Sequence, residues 1–127
     1  MSASQVRYTT TVTRIGEQVG EFIKQGIIIF FAEGAPEELH FFSVLHEPED
    51  TTGGLRVGDV VHLGDTDLRV TAVGDVANEN MVNLGHIDLK ANGADQAPLA
   101  GDLCVEEASL PELQPGTRMV IEGPEAG

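Results

Sequence analysis

The chain has 127 residues, of which 41% are hydrophobic, and its 21 acidic and 7 basic residues give a formal net charge of -14. This length suits one domain with a real core, so we predict a single domain over residues 1–127. Nucleic acid and anionic membrane surfaces are poor partners for such a chain, because like charges repel. A basic protein partner is favoured, although acidic charge also serves solubility alone.

The cysteine content and hydropathy indicate the compartment. The single cysteine, Cys104, excludes an internal disulfide and suits a reducing environment. No apolar run approaches the roughly 20 residues of a membrane span, and the first residues, "MSASQVRY", lack a hydrophobic signal core. We therefore predict a cytoplasmic protein without direct membrane insertion.

The first third of the chain contains strand-like and helix-like segments in turn. Residues 6–15, "VRYTTTVTRI", are β-branched and partly alternating, which predicts a strand. Residues 16–26 space their apolar side chains as a short helix would, with Gly26 at its end. The run "IIIFF" (27–31) predicts a buried strand.

His46 stands where two kinds of sequence meet. A turn precedes this region, with one helical turn after Pro36. Residues 41–46, "FFSVLH", then predict a buried strand that ends on His46, and residues 47–54 are acidic or flexible. We expect residues 47–54 to form a pliable, charged rim beside His46, which a basic partner could contact.

The second half of the chain is typical of strands joined by tight turns. Residues 59–73 have the pattern of a hairpin around a Gly-Asp turn. Residues 75–84 predict one short helix or a folded loop, with Asp75 as a candidate cap. Short strands follow, and residues 124–127 are predicted to be a mobile tail. The short strands are "HIDLK" (86–90), "DLCVE" (102–106) and "TRMVIEG" (117–123).

A weak internal sequence repeat gives information on the fold class. Segments 55–64 and 113–123 share a leucine, a glycine three residues later and then a strand. This pattern suits a loop that tucks one apolar side chain under a barrel and turns into the next strand. The sequence therefore predicts a mainly β fold: a small single-domain β-barrel or sandwich with one or two short helices.

Motifs for metal or nucleotide chemistry are missing from the sequence. There is no HExxH, CxxC, phosphate-binding loop or nucleophile elbow. We predict no metal and no cofactor. Cys104 lies among alternating apolar residues, which indicates a buried structural thiol.

Of the four histidines, His46 has the position best suited to chemistry. At the end of a strand, an imidazole can be held by packing at its base while its tip meets solvent. One ring nitrogen can then be fixed by a hydrogen bond, and the lone pair of the other can attack a phosphoryl group. The nearby carboxylates would hold a tautomer but repel phosphate, unless a cationic partner screened them.

The other histidines have simpler explanations. His40 follows a turn, and His62 lies in the middle of a predicted strand on the side that faces solvent. We therefore predict ordinary surface roles for both. His86 comes after Gly85, where the absence of a side chain would let another group approach closely. A hydrogen-bonded structural role and a functional role remain open for His86.

At residues 70–90, "VTAVGDVANENMVNLGHIDLK", the sequence resembles the glucitol/sorbitol-specific IIA component of the bacterial phosphoenolpyruvate-dependent sugar phosphotransferase system. The resemblance covers roughly residues 6–122. It extends to "YTTTVTRIG" (8–16), "FAEGAPEEL" (31–39), "VLH" (44–46) and "PGT" (115–117).

The resemblance implies an almost all-β phosphocarrier. Such a protein takes a phosphoryl group from the phosphohistidine protein HPr onto its own histidine. It passes the group to the IIB part of an IIB/IIC membrane permease, which phosphorylates glucitol during uptake. The active histidine of the family follows the "EGAP" turn and a hydrophobic strand, which is the position of His46. The histidine of "LGH", His86, is implied only to lie near the site.

The sequence departs from the family pattern after His46. In the family, a second histidine can stand two residues beyond the active one, and here that residue is Pro48. A mechanism that needs a local histidine pair does not fit. Self-association stays open. So do two other functions: a non-catalytic acidic β-barrel adaptor or regulatory module, and a barrel that binds a small ligand or metal.

Overall fold

The computed structural model describes residues 4–124, which form eight strands, two α-helices and one 3-10 helix. The strands are β1 (Ser4–Ile15), β2 (Ile27–Ala32), β3 (Val44–Asp50), β4 (Val60–Leu63), β5 (Thr66–Val73), β6 (Ile87–Lys90), β7 (Asp102–Val105) and β8 (Arg118–Pro124). The helices are α1 (Val19–Lys24), α2 (Ala77–Leu84) and the 3-10 helix Glu37–Phe42.

The strands close into a barrel in the order β1-β3-β2-β6-β7-β5-β4-β8, and β8 pairs with β1. Most neighbours are antiparallel, but β2 with β3 and β6 with β7 are parallel. The 3-10 helix provides the connection between β2 and β3. The predicted mainly β fold with short helices is confirmed, and closure decides for a barrel over a sandwich.

Alternation along the strands explains the core. In β1, Tyr8, Thr10 and Val12 face inward and are buried, while the residues between them are half-buried. Apolar side chains from the other strands fill the remaining interior. They include Ile28, Phe30, Val61, Leu63, Leu68, Val70, Leu89, Leu103, Met119 and Ile121.

Several local predictions are confirmed. The hairpin forms as β4 and β5, α1 lies within the predicted helical segment, and α2 lies within residues 75–84. The helical turn predicted after Pro36 is the 3-10 helix. Cys104 is buried, as its apolar neighbours indicated.

Three details differ from the prediction. Phe41 and Phe42 end the 3-10 helix, so the strand predicted for residues 41–46 begins only at Val44. Asp75 does not cap α2: the N-cap position is Val76, and no side chain caps the helix. Of the predicted tail 124–127, Pro124 ends β8 and the rest lies outside the described residues.

The helices of residues 4–124 are too short and polar to cross a membrane.

Candidate active site

His46 lies in β3, which runs between β1 and β2, where it pairs with Val12 and Ala32. Its side chain is fully buried. Both ring nitrogens have hydrogen-bond partners: Nδ1 is 2.6 Å from Oγ1 of Thr10, and Nε2 is 2.8 Å from the carbonyl oxygen of Gly85. The imidazole is therefore fixed at both ends.

Aromatic side chains complete the surroundings of this imidazole. The ring centroids of Tyr8 and Phe30 lie 6.0 Å and 5.7 Å from that of His46, both in edge-on orientations. Tyr8 and Phe30 are themselves fully buried. The ring of His46 thus sits in a largely apolar environment, with one hydroxyl and one carbonyl as polar contacts.

The prediction that β3 ends on His46 with the ring tip in solvent is wrong. The strand continues to Asp50 because β1 is twelve residues long and offers pairing partners to the whole segment. The acidic side chains do not interrupt the strand, since Glu47 and Glu49 are exposed on its outer face. Glu49 there accepts hydrogen bonds from Arg118 (2.7 Å) and Thr11 (3.2 Å). The expected pliable rim is partly a paired strand.

Gly85 holds its carbonyl against His46 through a conformation that suits glycine. It caps the C-terminus of α2 with φ of 62°, in the left-handed region. A Cβ at this position would lie 2.6 Å from Cβ and 2.8 Å from N of Ala32. The predicted close approach at Gly85 is confirmed, and it brings the loop between α2 and β6 down onto β2 and β3.

His86 follows Gly85 and points to a different neighbour. Its ring stacks on Phe31 with centroids 4.2 Å apart and planes 9° apart, and its Nε2 is 3.0 Å from Oδ1 of Asp88. The side chain is 23% exposed. Within residues 4–124, no hydrogen bond joins the rings of His46 and His86, so the two predicted site residues meet only through the Gly85 backbone.

The chain is similar to known proteins over most of its length. The family model for the PTS system glucitol/sorbitol-specific IIA component, PTS being the sugar phosphotransferase system, matches residues 7–120. The glucitol/sorbitol-specific EIIA components of Shigella flexneri and Escherichia coli (strain K12) are each 34% identical over 117 residues, which is 92% of this chain and 95% of theirs. The chain belongs to the glucitol/sorbitol-specific IIA family.

The fold comparison agrees with this assignment. The crystal structure of a PTS system IIA component from Enterococcus faecalis V583 matches with a TM-score of 0.74 at 27% sequence identity, over 87% of this chain and 96% of that one. Members of the IIA family are phosphotransferase components of the sugar phosphotransferase system. The resemblance inferred from the sequence is confirmed.

In this IIA protein, one open cleft adjoins the Gly85 loop and a second lies beside it along β3. The first has a volume of about 650 Å³ and is lined partly by apolar side chains, among them Phe31, Pro48, Val82 and Leu84. The second, about 370 Å³, shares Pro48 and is lined by three glutamates, namely Glu33, Glu47 and Glu49. An apolar surface with an acidic margin therefore lies directly outside the Gly85–His46 contact.

Burial controls the charge state of His46. Loss of hydration lowers the pKa of the imidazole, and this effect outweighs the Gly85 carbonyl and the negative charge of Glu33, both of which favour the protonated form. A lowered pKa keeps the ring neutral at neutral pH. A neutral ring has one lone pair, which a nucleophile requires.

We expect this buried neutral histidine to make stability depend on pH. Its pKa is lower in the folded state than in the unfolded state, so the unfolded chain binds more protons below about pH 6.5. The free energy of unfolding should therefore fall as the pH is lowered through that range. The slope from one group is at most about 1.4 kcal/mol per pH unit. Urea unfolding of the native chain and of His46→Gln between pH 8 and pH 5 would isolate the contribution of His46 to this pH dependence. Equal slopes would contradict it.

The remaining histidines lie outside this site. His40 is 2.8 Å from the carbonyl oxygen of Ala35. His62 contacts Asp67 at 2.6 Å and Glu122 at 3.4 Å on the outer face of the barrel. Among residues 4–124, no group of three His, Cys, Asp or Glu side chains is placed to hold a metal ion.

Sequence reasoning missed Thr10 and the Gly85 carbonyl as partners of His46. A signal for Thr10 was present, because the two-residue period of β1 places it on the same inward face as Tyr8 and Val12. A polar residue on a core face needs a partner, which makes it informative. No local pattern indicated the carbonyl, because it comes from a loop 39 residues further along the chain.

Proposed function

We propose that this chain is a cytoplasmic phosphoryl carrier that accepts a phosphoryl group from phospho-HPr on His46 and passes it to the IIB component during glucitol/sorbitol uptake. The observation that supports this most strongly is the contact between Nε2 of His46 and the Gly85 carbonyl. In this contact the neutral imidazole lies next to Gly85, a residue that lines one of the two surface clefts. The family membership supplies the class of reaction.

The proposed transfer requires the Gly85 carbonyl to move away from Nε2. The segment that carries it is the short connection between α2 and β6, and its neighbour Leu84 is 56% exposed. Gly85 itself is buried and His86 is partly exposed, but short connections of this kind open more easily than core strands. Thr10, in contrast, belongs to a core strand and is fully buried, so it does not give a donor access to Nδ1.

We assign His86 a supporting role in the same reaction. Asp88 accepts the hydrogen of its Nε2, and Phe31 fixes the plane of the ring. When both of its nitrogens carry hydrogen, a ring held beside the Gly85 loop can donate from Nδ1 to a phosphoryl group that has entered the site and offset its negative charge. It is not required to form a bond to phosphorus.

Incubation with enzyme I, HPr and phosphoenolpyruvate tests the proposal. The native chain should gain one acid-labile phosphoryl group, detected by intact mass and lost after mild acid treatment. Omission of HPr should leave the chain unlabelled. A native chain that takes no label from phospho-HPr would refute the carrier function.

One observation favours a non-catalytic adaptor as the second candidate. Both nitrogens of His46 are occupied in a fully buried site, as in a purely structural histidine. The cleft beside Gly85 would then bind a protein partner without any chemistry. Binding of HPr or IIB without phosphoryl transfer would favour this alternative.

We expect association with HPr to be electrostatically steered. Glu47 is exposed and lines the acidic cleft, and the whole chain has a net charge of -14. A basic partner face should therefore associate more slowly as ionic strength rises. Stopped-flow association rates between about 0.02 and 0.5 M salt would measure this.

A pair of single-charge variants locates the effect. Glu47→Gln should lower the association rate at low salt by about 2- to 5-fold. Glu107→Gln removes the same charge from an exposed position that lines neither cleft, and it should change the rate less. A rate that is indifferent to salt, or equally sensitive to both variants, would remove the acidic margin from the docking surface.

A further inference from the structure

The hydrogen bonds of His46 define the tautomer of its neutral ring. The Gly85 carbonyl oxygen, 2.8 Å from Nε2, can only accept, so Nε2 carries the hydrogen. Nδ1 then has the lone pair, and the Thr10 hydroxyl at 2.6 Å must donate to it. Thr10 and His46 are both fully buried, so bulk solvent does not contact Nδ1 in this state.

This tautomer is the wrong one for attack through Nε2. Nε2 faces the Gly85 loop and the clefts, whereas Nδ1 faces β1 in the barrel wall. A phosphoryl donor can approach only from the loop side, so the lone pair must be on Nε2 when transfer occurs. The hydrogen must then be on Nδ1, whose hydrogen-bond partner among residues 4–124 is Thr10.

We propose that Thr10 is a positioning residue that holds Nδ1 in both tautomers, donating to it at rest and accepting its hydrogen during transfer. A hydroxyl can do both because it rotates and has a donor and two acceptor lone pairs. Valine, of the same shape, can do neither. This inference rests on the proposed function of His46.

The bonds and charges in the transfer step balance. While Gly85 is displaced, water reaches the ring and delivers a proton to Nδ1, and the cationic ring then releases the Nε2 proton to water, so that the ring is again neutral with its lone pair on Nε2. The lone pair of Nε2 forms the bond to phosphorus as the N–P bond of the donor phosphohistidine breaks, and that electron pair returns to the donor imidazole. The ring then becomes cationic, and Thr10 accepts a charge-assisted hydrogen bond from Nδ1. In onward transfer, the Nε2–P electron pair returns to the ring.

Isosteric variants separate the effect of the Thr10 hydroxyl on the phosphorylation rate from the effect of Thr10 packing. Thr10→Val should slow phosphorylation by phospho-HPr about 10- to 100-fold, the loss expected for a hydrogen bond to a charged group. Thr10→Ser should retain a rate within a few-fold of the native chain. Thr71→Val is the matched control: among the described residues the hydroxyl of Thr71 is buried without a hydrogen-bond partner, so its removal costs no bond.

A second readout does not depend on phosphorylation. In chain labelled with ¹⁵N-histidine, the His46 Nδ1 resonance should have the same position in the native chain, Thr10→Ser and Thr71→Val. In Thr10→Val it should move in the direction of a ring nitrogen that has lost its donor. Thr10→Ala serves in its place if Thr10→Val does not fold, as judged by circular dichroism.

The outcomes separate this inference from the carrier function. If Thr10→Val is labelled as fast as the native chain, or if Thr10→Ser is as slow as Thr10→Val, the role of the hydroxyl is refuted while the carrier function stands. If the native chain, Thr10→Ser and Thr71→Val all remain unlabelled, the carrier function fails and this role for Thr10 fails with it.

Discussion

Replacement of His46 by glutamine should abolish phosphorylation of the chain, even after long incubation with enzyme I, HPr and phosphoenolpyruvate. A phosphohistidine carrier needs one nitrogen that becomes covalently bonded to phosphorus, and without it nothing accepts the group. His86→Gln should still be labelled, about 10- to 1,000-fold more slowly, because a supporting group only orients or stabilises charge. Intact-mass time courses would measure both rates.

His86 is the credible competitor, so the comparison is decisive. Its side chain is 23% exposed, whereas that of His46 is fully buried. His62→Gln provides the control, since that histidine lies on the outer face between Asp67 and Glu122 and should leave labelling unchanged. Normal labelling of His46→Gln together with loss of labelling in His86→Gln would make His86 the acceptor.

Asp59→Ala should destabilise the barrel by about 3–5 kcal/mol, the cost of leaving a buried charge without its partner. Arg7 and Asp59 are 2% and 0% exposed, and Nε of Arg7 is 3.3 Å from Oδ2 of Asp59. Arg7 also donates to the carbonyl oxygen of Pro124 at 2.7 Å, which ties β1 to the end of β8. The neighbouring Gly123 leaves space for the pair, because a Cβ there would lie 1.8 Å from Oδ1 of Asp59.

Urea unfolding at neutral pH measures this loss. The matched control is Glu21→Ala, which breaks an ion pair with Lys24 in which both side chains are more than 70% exposed. Solvent screens such a pair, so the unfolding midpoint should change little. A shift for Asp59→Ala no larger than that of Glu21→Ala would show that the Arg7 charge finds other partners.

The strands that sequence reasoning located are those with strong local patterns. The β-branched run of β1 and the Gly-Asp turn between β4 and β5 are local features, and both formed where they were expected. The barrel order could not be read in this way. It depends on pairings between distant segments, such as β1 with β8 and the parallel pair of β2 with β3.

The environment of His46 was predicted wrongly for the same physical reason. Carboxylates after a hydrophobic run are typical of a strand that has ended, but here β1 is long enough to pair with β3 as far as Asp50, and the side chains of Glu47 and Glu49 are exposed. The choice of His46 as a site residue came from its position after a hydrophobic strand and from the family pattern. The contacts that set its chemistry, Thr10 and Gly85, are 36 residues before it and 39 residues after it.

Onward transfer tests the central claim most directly. The native chain would be phosphorylated, separated from HPr and enzyme I, and mixed with the IIB component of a glucitol permease and, separately, with a IIB component for another sugar. We expect the phosphoryl group to leave the chain and appear on the glucitol IIB component, with the label mapped to His46 before transfer. A phosphoryl group that stays on the chain in the presence of the glucitol IIB component, or that maps to another residue, would contradict it.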